Sequence, residues 1–319
     1  MKGFYILCLV LLVPYASLFS QAILKSAFKV IPLGVKGGID ESNLSAYMLA
    51  PEGSNDYVCL DAGTLHYGIQ KAVDEGIIKD NVTRILQTYI RGYLVSHPHL
   101  DHVSGLIINS PDDSAKNIYG LAHCINILKD KYFSWQNWAN FGDEGEKPVL
   151  KKYHYAVLEE EKEVPLEHTP LFVKAFPLSH SNPYESTAFL IRHGENYFLY
   201  LGDTGADSVE KSNKLSLLWQ HVAPLIKAGK LHAIFIEVSY PDEQPATQLF
   251  GHLTPHLLMQ EMHSLGKFAG VANMKGLPIA ITHMKPSGNH EDKIIQQLKN
   301  QNNLQLKLVF PKQGKVLKF

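Results

Sequence analysis

The chain has 319 residues, 45% hydrophobic and 19% charged, which is enough apolar mass for one large domain or two small ones. Its formal net charge of −1 supplies no bulk field that would recruit nucleic acid or acidic lipid. An anionic ligand must therefore be held by local groups, such as metal ions.

Lys2 precedes an apolar run at residues 4–13, followed by Pro14 and small or polar residues up to Ala22. This pattern predicts a secretory signal over residues 1–22, cleaved after Ala22 or after Ser20, and a secreted or periplasmic protein. The run is too short to span a bilayer, and no later segment is long and apolar enough to do so. Residues 23–319 are expected to form one domain. Cys8 would leave with the signal and lies too early for lipoprotein cleavage. Cys59, in an apolar strand, reads as core. A disulfide between Cys59 and Cys124 stays open, and neither has metal-site spacing.

Downstream, strands and helices alternate. Apolar runs at 28–33, 46–50 and 57–61 predict strands, with Gly37-Gly38 as an early turn. Residues 69–72 and 82–90 have helical character, 92–96 reads as a short buried strand, and 118–128 reads as a helix. Residues 140–148, with Gly142, Asp143, Gly145 and Pro148, form a loop. Strands follow at 171–177, 187–192 and 197–201, then a long helix at 208–228 and a strand at 232–238. Thr254-Pro255 opens another helix, with threonine as N-cap and proline at the first helical position. A strand at 277–282, a helix at 289–299 and two short strands close the chain. There is no repeat or low-complexity tract. The two halves, β-rich and then βα in character, predict an α/β sandwich of two sheets flanked by helices.

The densest chemistry is Ser96-His97-Pro98-His99-Leu100-Asp101-His102, on the loop leaving the strand at 92–96. Each buried imidazole needs its own polar partner, so this crowding is hard to explain as packing. Imidazole and carboxylate suit zinc and similar divalent ions. Elsewhere single polar residues cap apolar runs: Asp61, His180, Asp203 and His283. Any one alone reads as a turn former or a satisfied polar group. With the histidine cluster, they read as a site assembled at strand ends.

The His-x-His-x-Asp-His spacing, with the earlier Asp61-Ala62-Gly63-Thr64 turn and the later His180, Asp203 and His283, resembles the metallo-β-lactamase fold superfamily. The run from His97 to Pro111 (His-Pro-His-Leu-Asp-His-Val-Ser-Gly-Leu-Ile-Ile-Asn-Ser-Pro) is similar to the signature of class II cyclic-nucleotide phosphodiesterases. Leu60-Asp61-Ala62-Gly63-Thr64, Gly251-His252-Leu253-Thr254-Pro255 and Ile281-Thr282-His283-Met284-Lys285 are similar to further blocks of that family. The resemblance runs from about residue 28 to the end.

It implies a metallo-β-lactamase-like αββα sandwich of two mixed β-sheets, and hydrolysis of cAMP and/or cGMP to 5′-monophosphates by a metal-bridging hydroxide. It also implies two divalent ions, zinc above all, with manganese or iron as alternatives. His97, His99 and His180 would hold the first ion, and Asp101, His102 and His283 the second, with Asp203 bridging both. Asp61 would orient His97 or His102 by accepting a ring N–H. His252, oriented by Glu237, would give a proton to the leaving O3′ oxygen, so Asp101, His252 and Glu237 form the expected catalytic set.

For the base, the candidates are Asn109, Ser110, Phe133, Trp135, Trp138, Phe141, Ser287 and Asn289, the aromatics because purines stack on ring faces. The stretch from Phe133 to Phe141 also reads as core packing. The expected partner is a small cyclic nucleotide, with no nucleic acid and no membrane insertion, and the sequence is compatible with a homodimer. Two other readings stay open. One is a hydrolase of the same fold acting on RNA or a β-lactam, opposed by the neutral charge and the 251–255 block. The other is a protein that captures nucleotide without turnover, opposed by the intact Asp203 and His252.

Overall fold

Alternation within the strands sets the layers. The computed structural model describes residues 26–319, together with Met1 and Gly3; the predicted signal otherwise lies outside the described residues. The first strands are β1 (Phe28–Gly34), β2 (Ala46–Pro51), β3 (Tyr57–Leu60), β4 (Ile90–Leu94), β5 (Lys116–Leu121), β6 (Tyr153–Leu158) and β7 (Val164–Pro165). The others are β8 (Phe172–Ser179), β9 (Glu185–His193), β10 (Asn196–Leu201), β11 (Leu231–Glu237), β12 (Pro278–Thr282), β13 (Lys307–Val309) and β14 (Leu317–Lys318). The helices are α1 (His66–Asp74), α2 (Val82–Arg84), α3 (Leu100–Asn109), α4 (Ala122–Ile127), α5 (Asp207–Glu210), α6 (Lys214–Lys227), α7 (Pro255–Ala269), α8 (Val271–Met274) and α9 (His290–Gln301).

Two seven-stranded sheets result, in the orders β14-β1-β2-β3-β4-β5-β6 and β13-β12-β11-β10-β9-β8-β7. Both are mixed. In the first, β3 to β6 pair in parallel and the rest antiparallel. In the second, β10 to β13 pair in parallel and the rest antiparallel. Along β10, Phe198 and Tyr200 join the cluster between the sheets, where Phe198 meets Phe235 of β11 at 4.8 Å between ring centroids. The intervening Leu199 and Leu201 face the other way, into the cluster with Trp219 of α6. A third apolar cluster packs α1 and α3 on the first sheet. The layers run helix, sheet, sheet, helix, as the sequence predicts.

The strands β6 and β7 were not expected, and three further stretches differ from expectation. Residues 118–128 are not one helix: β5 ends at Leu121 and α4 follows. Ile118 and Tyr119 point into different clusters, and β5 pairs with both β4 and β6, so sheet pairing decides a short apolar run of ambiguous type. The helix predicted at 208–228 breaks after α5 at Lys211, whose φ is 54°. Asp207 then accepts from the Leu215 and Ser216 N–H groups and starts α6. Third, the histidine motif is only partly loop, since Asp101 and His102 lie in the first turn of α3. The α7 start is as predicted, with Thr254 Oγ1 accepting from Leu257 N. Cys59 and Cys124 are both buried and unbonded.

Candidate metal centre

The polar caps of the apolar strands meet where β3, β4, β8, β10, β11 and β12 end. Asp61 and His283 leave β3 and β12 with φ of 53° and 57°, a left-handed turn that redirects the chain at the strand end. The His283 ring lies so close to Gly37 that a Cβ there would sit 2.4 Å from it.

Asp203, nearly fully buried beyond β10, is the hub. Its Oδ2 lies 3.2 Å from His283 Nε2, 3.3 Å from His102 Nε2, 3.8 Å from His97 Nε2 and 3.9 Å from His180 Nε2. Donor atoms of His97, His99 and His180 lie within 4.8 Å of one another, as do those of Asp101, His102 and His283. The structure therefore brings together all seven residues expected around two ions. His252 stacks on His283, and its Nδ1 is 2.7 Å from Glu237 Oε1.

The donor set fits divalent ions by one test of this structure. The far nitrogen of each buried ring is occupied: His102 Nδ1 by Asp61 Oδ2 at 2.8 Å, His180 Nδ1 by the Gly251 carbonyl at 2.8 Å, His97 Nδ1 by Ser96 Oγ at 3.0 Å and His283 Nδ1 by Ser239 Oγ at 3.0 Å. Their Nε2 atoms converge on Asp203, and His102 Nε2, though buried, has no hydrogen-bond partner among the described residues. A buried orphan nitrogen amid carboxylates and imidazoles is what a cation would satisfy.

The charges within the cluster divide. Burial, with His102 beside it, pushes the His97 imidazole well below its ordinary range, into the neutral form that binds metal. Burial opposes charge on His102, yet Asp203, Asp61 and Asp101 together hold it well above. Asp203 would be raised by burial, but His283 and His102 hold it well below the usual carboxylate range. Burial and the Asp203 charge push Glu237 up to about 7, and burial holds His252 down to about 4.

The base candidates fare differently. Phe133 is fully buried and packs on Phe141 and Tyr153, so its ring has no free face for a purine. Ser110 is fully buried, and its Oγ accepts from Trp138 Nε1 at 3.0 Å. Phe141 and Trp138 pack against the same core cluster. Trp135 is exposed, but its Nε1 is tied to the Pro148 carbonyl. Phe133, Trp138 and Phe141 thus form a packing patch, the alternative the composition allowed, and Trp135 stands outside it. Ser287 is half-buried and Asn289 exposed ahead of α9. Of these candidates only Asn109 lines the cavity of about 530 Å³ beside Asp101. That cavity is walled by Leu44, Leu65, Tyr67, Leu100 and Ile108, which sequence reasoning missed. No sequence signal marks them, because the exposure of Tyr67, Leu100 and Ile108 is visible only in the fold.

A family model described as cAMP phosphodiesterases class-II matches residues 26–314. The chain is 42% identical over 318 residues to a 3′,5′-cyclic-nucleotide phosphodiesterase of Aliivibrio fischeri, covering 95% of this chain and 96% of that protein. Among solved structures, unliganded yeast PDE1 superposes with a TM-score of 0.82 at 22% identity, covering 92% of this chain and all of that one. The metallo-β-lactamase fold protein YhfI from Bacillus subtilis superposes with a TM-score of 0.61 at 16% identity, again over 92% of this chain.

Proposed function

The chain belongs to the class-II cAMP phosphodiesterases, and from that premise we propose that it hydrolyses 3′,5′-cyclic nucleotides to 5′-monophosphates at the Asp203-centred cluster. The convergence of four imidazole Nε2 atoms on one buried carboxylate oxygen carries the reading. His97, His99 and His180 would hold one zinc ion, Asp101, His102 and His283 a second, and Asp203 both. Bound there, the ions supply Lewis acidity to the phosphoryl oxygens and make a water acidic enough to ionise near neutral pH. Asp61 fixes the ring of His102 so that its Nε2 faces inward. As water adds to phosphorus and the P–O3′ bond breaks, O3′ needs a proton. His252, held by Glu237, is the proposed donor. The sequence of residues 1–22 supports action outside the cytoplasm.

The proposed seat of the nucleoside is the cavity beside Asp101, with Tyr67 as the aromatic face. Tyr67→Ala should raise KM for cAMP about fivefold, the worth of one aromatic contact of about 1 kcal/mol, with kcat little changed. Trp135→Ala should leave both constants as they are. Steady-state kinetics decide, and a Tyr67→Ala enzyme with the parent KM would empty that seat.

The reading as a whole is tested by metal analysis of the purified protein together with incubation with cAMP and cGMP. Two metal equivalents per chain and release of 5′-AMP or 5′-GMP, abolished by a chelator and restored by zinc, are expected. Nucleotide bound but uncleaved would instead mean capture, and neither binding nor cleavage would mean another substrate.

A further inference from the structure

Behind the imidazoles lie two buried carboxylates, one belonging to each sheet. Asp61, after β3, accepts from His102 Nδ1 at 2.8 Å, and its Oδ2 also accepts from Ser96 Oγ at 2.8 Å. Ser96 Oγ in turn lies 3.0 Å from His97 Nδ1. Glu237, ending β11, repeats the pattern. Its Oε1 is 2.7 Å from His252 Nδ1, its Oε2 accepts from Ser239 Oγ at 2.7 Å, and Ser239 Oγ lies 3.0 Å from His283 Nδ1. In each sheet one carboxylate serves one imidazole directly and a second through a serine hydroxyl.

We infer that Ser96 and Ser239 are positioning residues: each hydroxyl transmits the hydrogen-bonding demand of a buried carboxylate to one imidazole, Ser96 to His97 for one ion and Ser239 to His283 for the other. The argument is proton counting. A hydroxyl has one hydrogen, and a carboxylate oxygen facing it can only accept. The shortest contact of each hydroxyl is to its carboxylate, so the hydrogen goes there. The serine oxygen is then an acceptor, and the ring nitrogen facing it must be N–H. With the proton fixed on Nδ1, Nε2 is the nitrogen each ring turns to the Asp203 centre, 3.8 Å away for His97 and 3.2 Å for His283, whose Nε2 also lies 3.0 Å from Asp101 Oδ2 and yields any proton it holds there when an ion binds. A proton on Glu237 Oε1, toward His252, leaves Oε2 still able to accept from Ser239. Both serines are fully buried, so solvent does not replace their hydroxyls. Tyr200, from the second sheet, donates to Asp61 at 2.5 Å and pins the first arrangement across the sandwich.

This inference rests on the two-ion reading above. Its test uses the full chain, stripped of metal and titrated with zinc against a chromophoric chelator. The parent should bind two equivalents. Ser96→Ala should weaken one equivalent about 10–100-fold, the usual cost of losing such a partner, and leave the other as it was. Ser239→Ala should do the same to the other equivalent, so the double variant weakens both. Parent-like affinity in both single variants would overturn the inference. So would equal weakening of both equivalents by either change, or one equivalent weakened twice in the double variant. Imidazole ¹⁵N shifts of the metal-free parent decide without any variant: Nδ1–H is expected on both His97 and His283, and an unprotonated Nδ1 on either would overturn it. A parent that takes up no divalent ion defeats the proposed function itself. A parent that binds two ions and cleaves cAMP, beside variants that bind as it does, defeats only the serine assignment.

Discussion

Asp203→Asn should lower cAMP turnover by about three orders of magnitude or more and leave the protein with less than two metal equivalents. The substitution keeps shape and removes charge. In the parent, one carboxylate oxygen stands 3.2 to 3.9 Å from five imidazole nitrogens contributed by four separate stretches of chain. A buried carboxylate persists in such a place because the imidazoles repay its desolvation, as the depressed Asp203 pKa reflects. Two cations brought to this cluster need an anion between them to offset their repulsion, and a neutral amide does this poorly. Metal-assisted stabilisation of a phosphoryl transition state is worth several kcal/mol, and about 4 kcal/mol corresponds to a thousandfold in rate. Metal content by mass spectrometry and kcat for cAMP check the prediction together. A variant that keeps both equivalents and turns over within tenfold of the parent would show that Asp203 bridges nothing.

What the sequence disclosed, and what it hid, follows from how each residue earns its place. Asp61, His180, Asp203 and His283 were legible because a polar residue ending an apolar strand must be explained, and the histidine motif supplied one explanation for all four. The element order and layering were legible because strand alternation is written locally, as in Phe198 to Leu201. Residues 118–121 were hidden because a short apolar run suits helix and strand alike, and only pairing with β4 and β6 chooses. Phe133 was misjudged for a related reason. One of its packing partners is Tyr153 of β6, a strand the sequence reading did not identify, so the surface it covers was invisible. Ser96 and Ser239 carry no compositional mark at all. A serine that relays a hydrogen bond differs from a serine in a turn only in what stands on either side of it in space.

His252→Ala should lower kcat for cAMP by about 10²–10⁴-fold while both metal equivalents and KM stay near the parent values, because a positioned proton donor contributes in that range. The structure gives His252 a partner suited to the task. Glu237, fully buried, is pushed up to about 7 and lies 2.7 Å from His252 Nδ1, whereas the imidazole itself is held down to about 4. At 2.7 Å the two groups share one hydrogen bond along which a proton can pass. An imidazole that receives it at Nδ1 while giving up another from Nε2 moves a proton toward the leaving oxygen without ever having to rest as a buried cation. The distinguishing measurement is the leaving group. Alkoxide O3′ needs protonation as the P–O bond breaks, but nitrophenolate does not, so His252→Ala should cleave a nitrophenyl phosphodiester at close to the parent rate. If that substrate suffers as much as cAMP, His252 does not serve as the acid. If metal content falls as well, it is a ligand instead, consistent with its place within 4.8 Å of His180 and Asp203 donors.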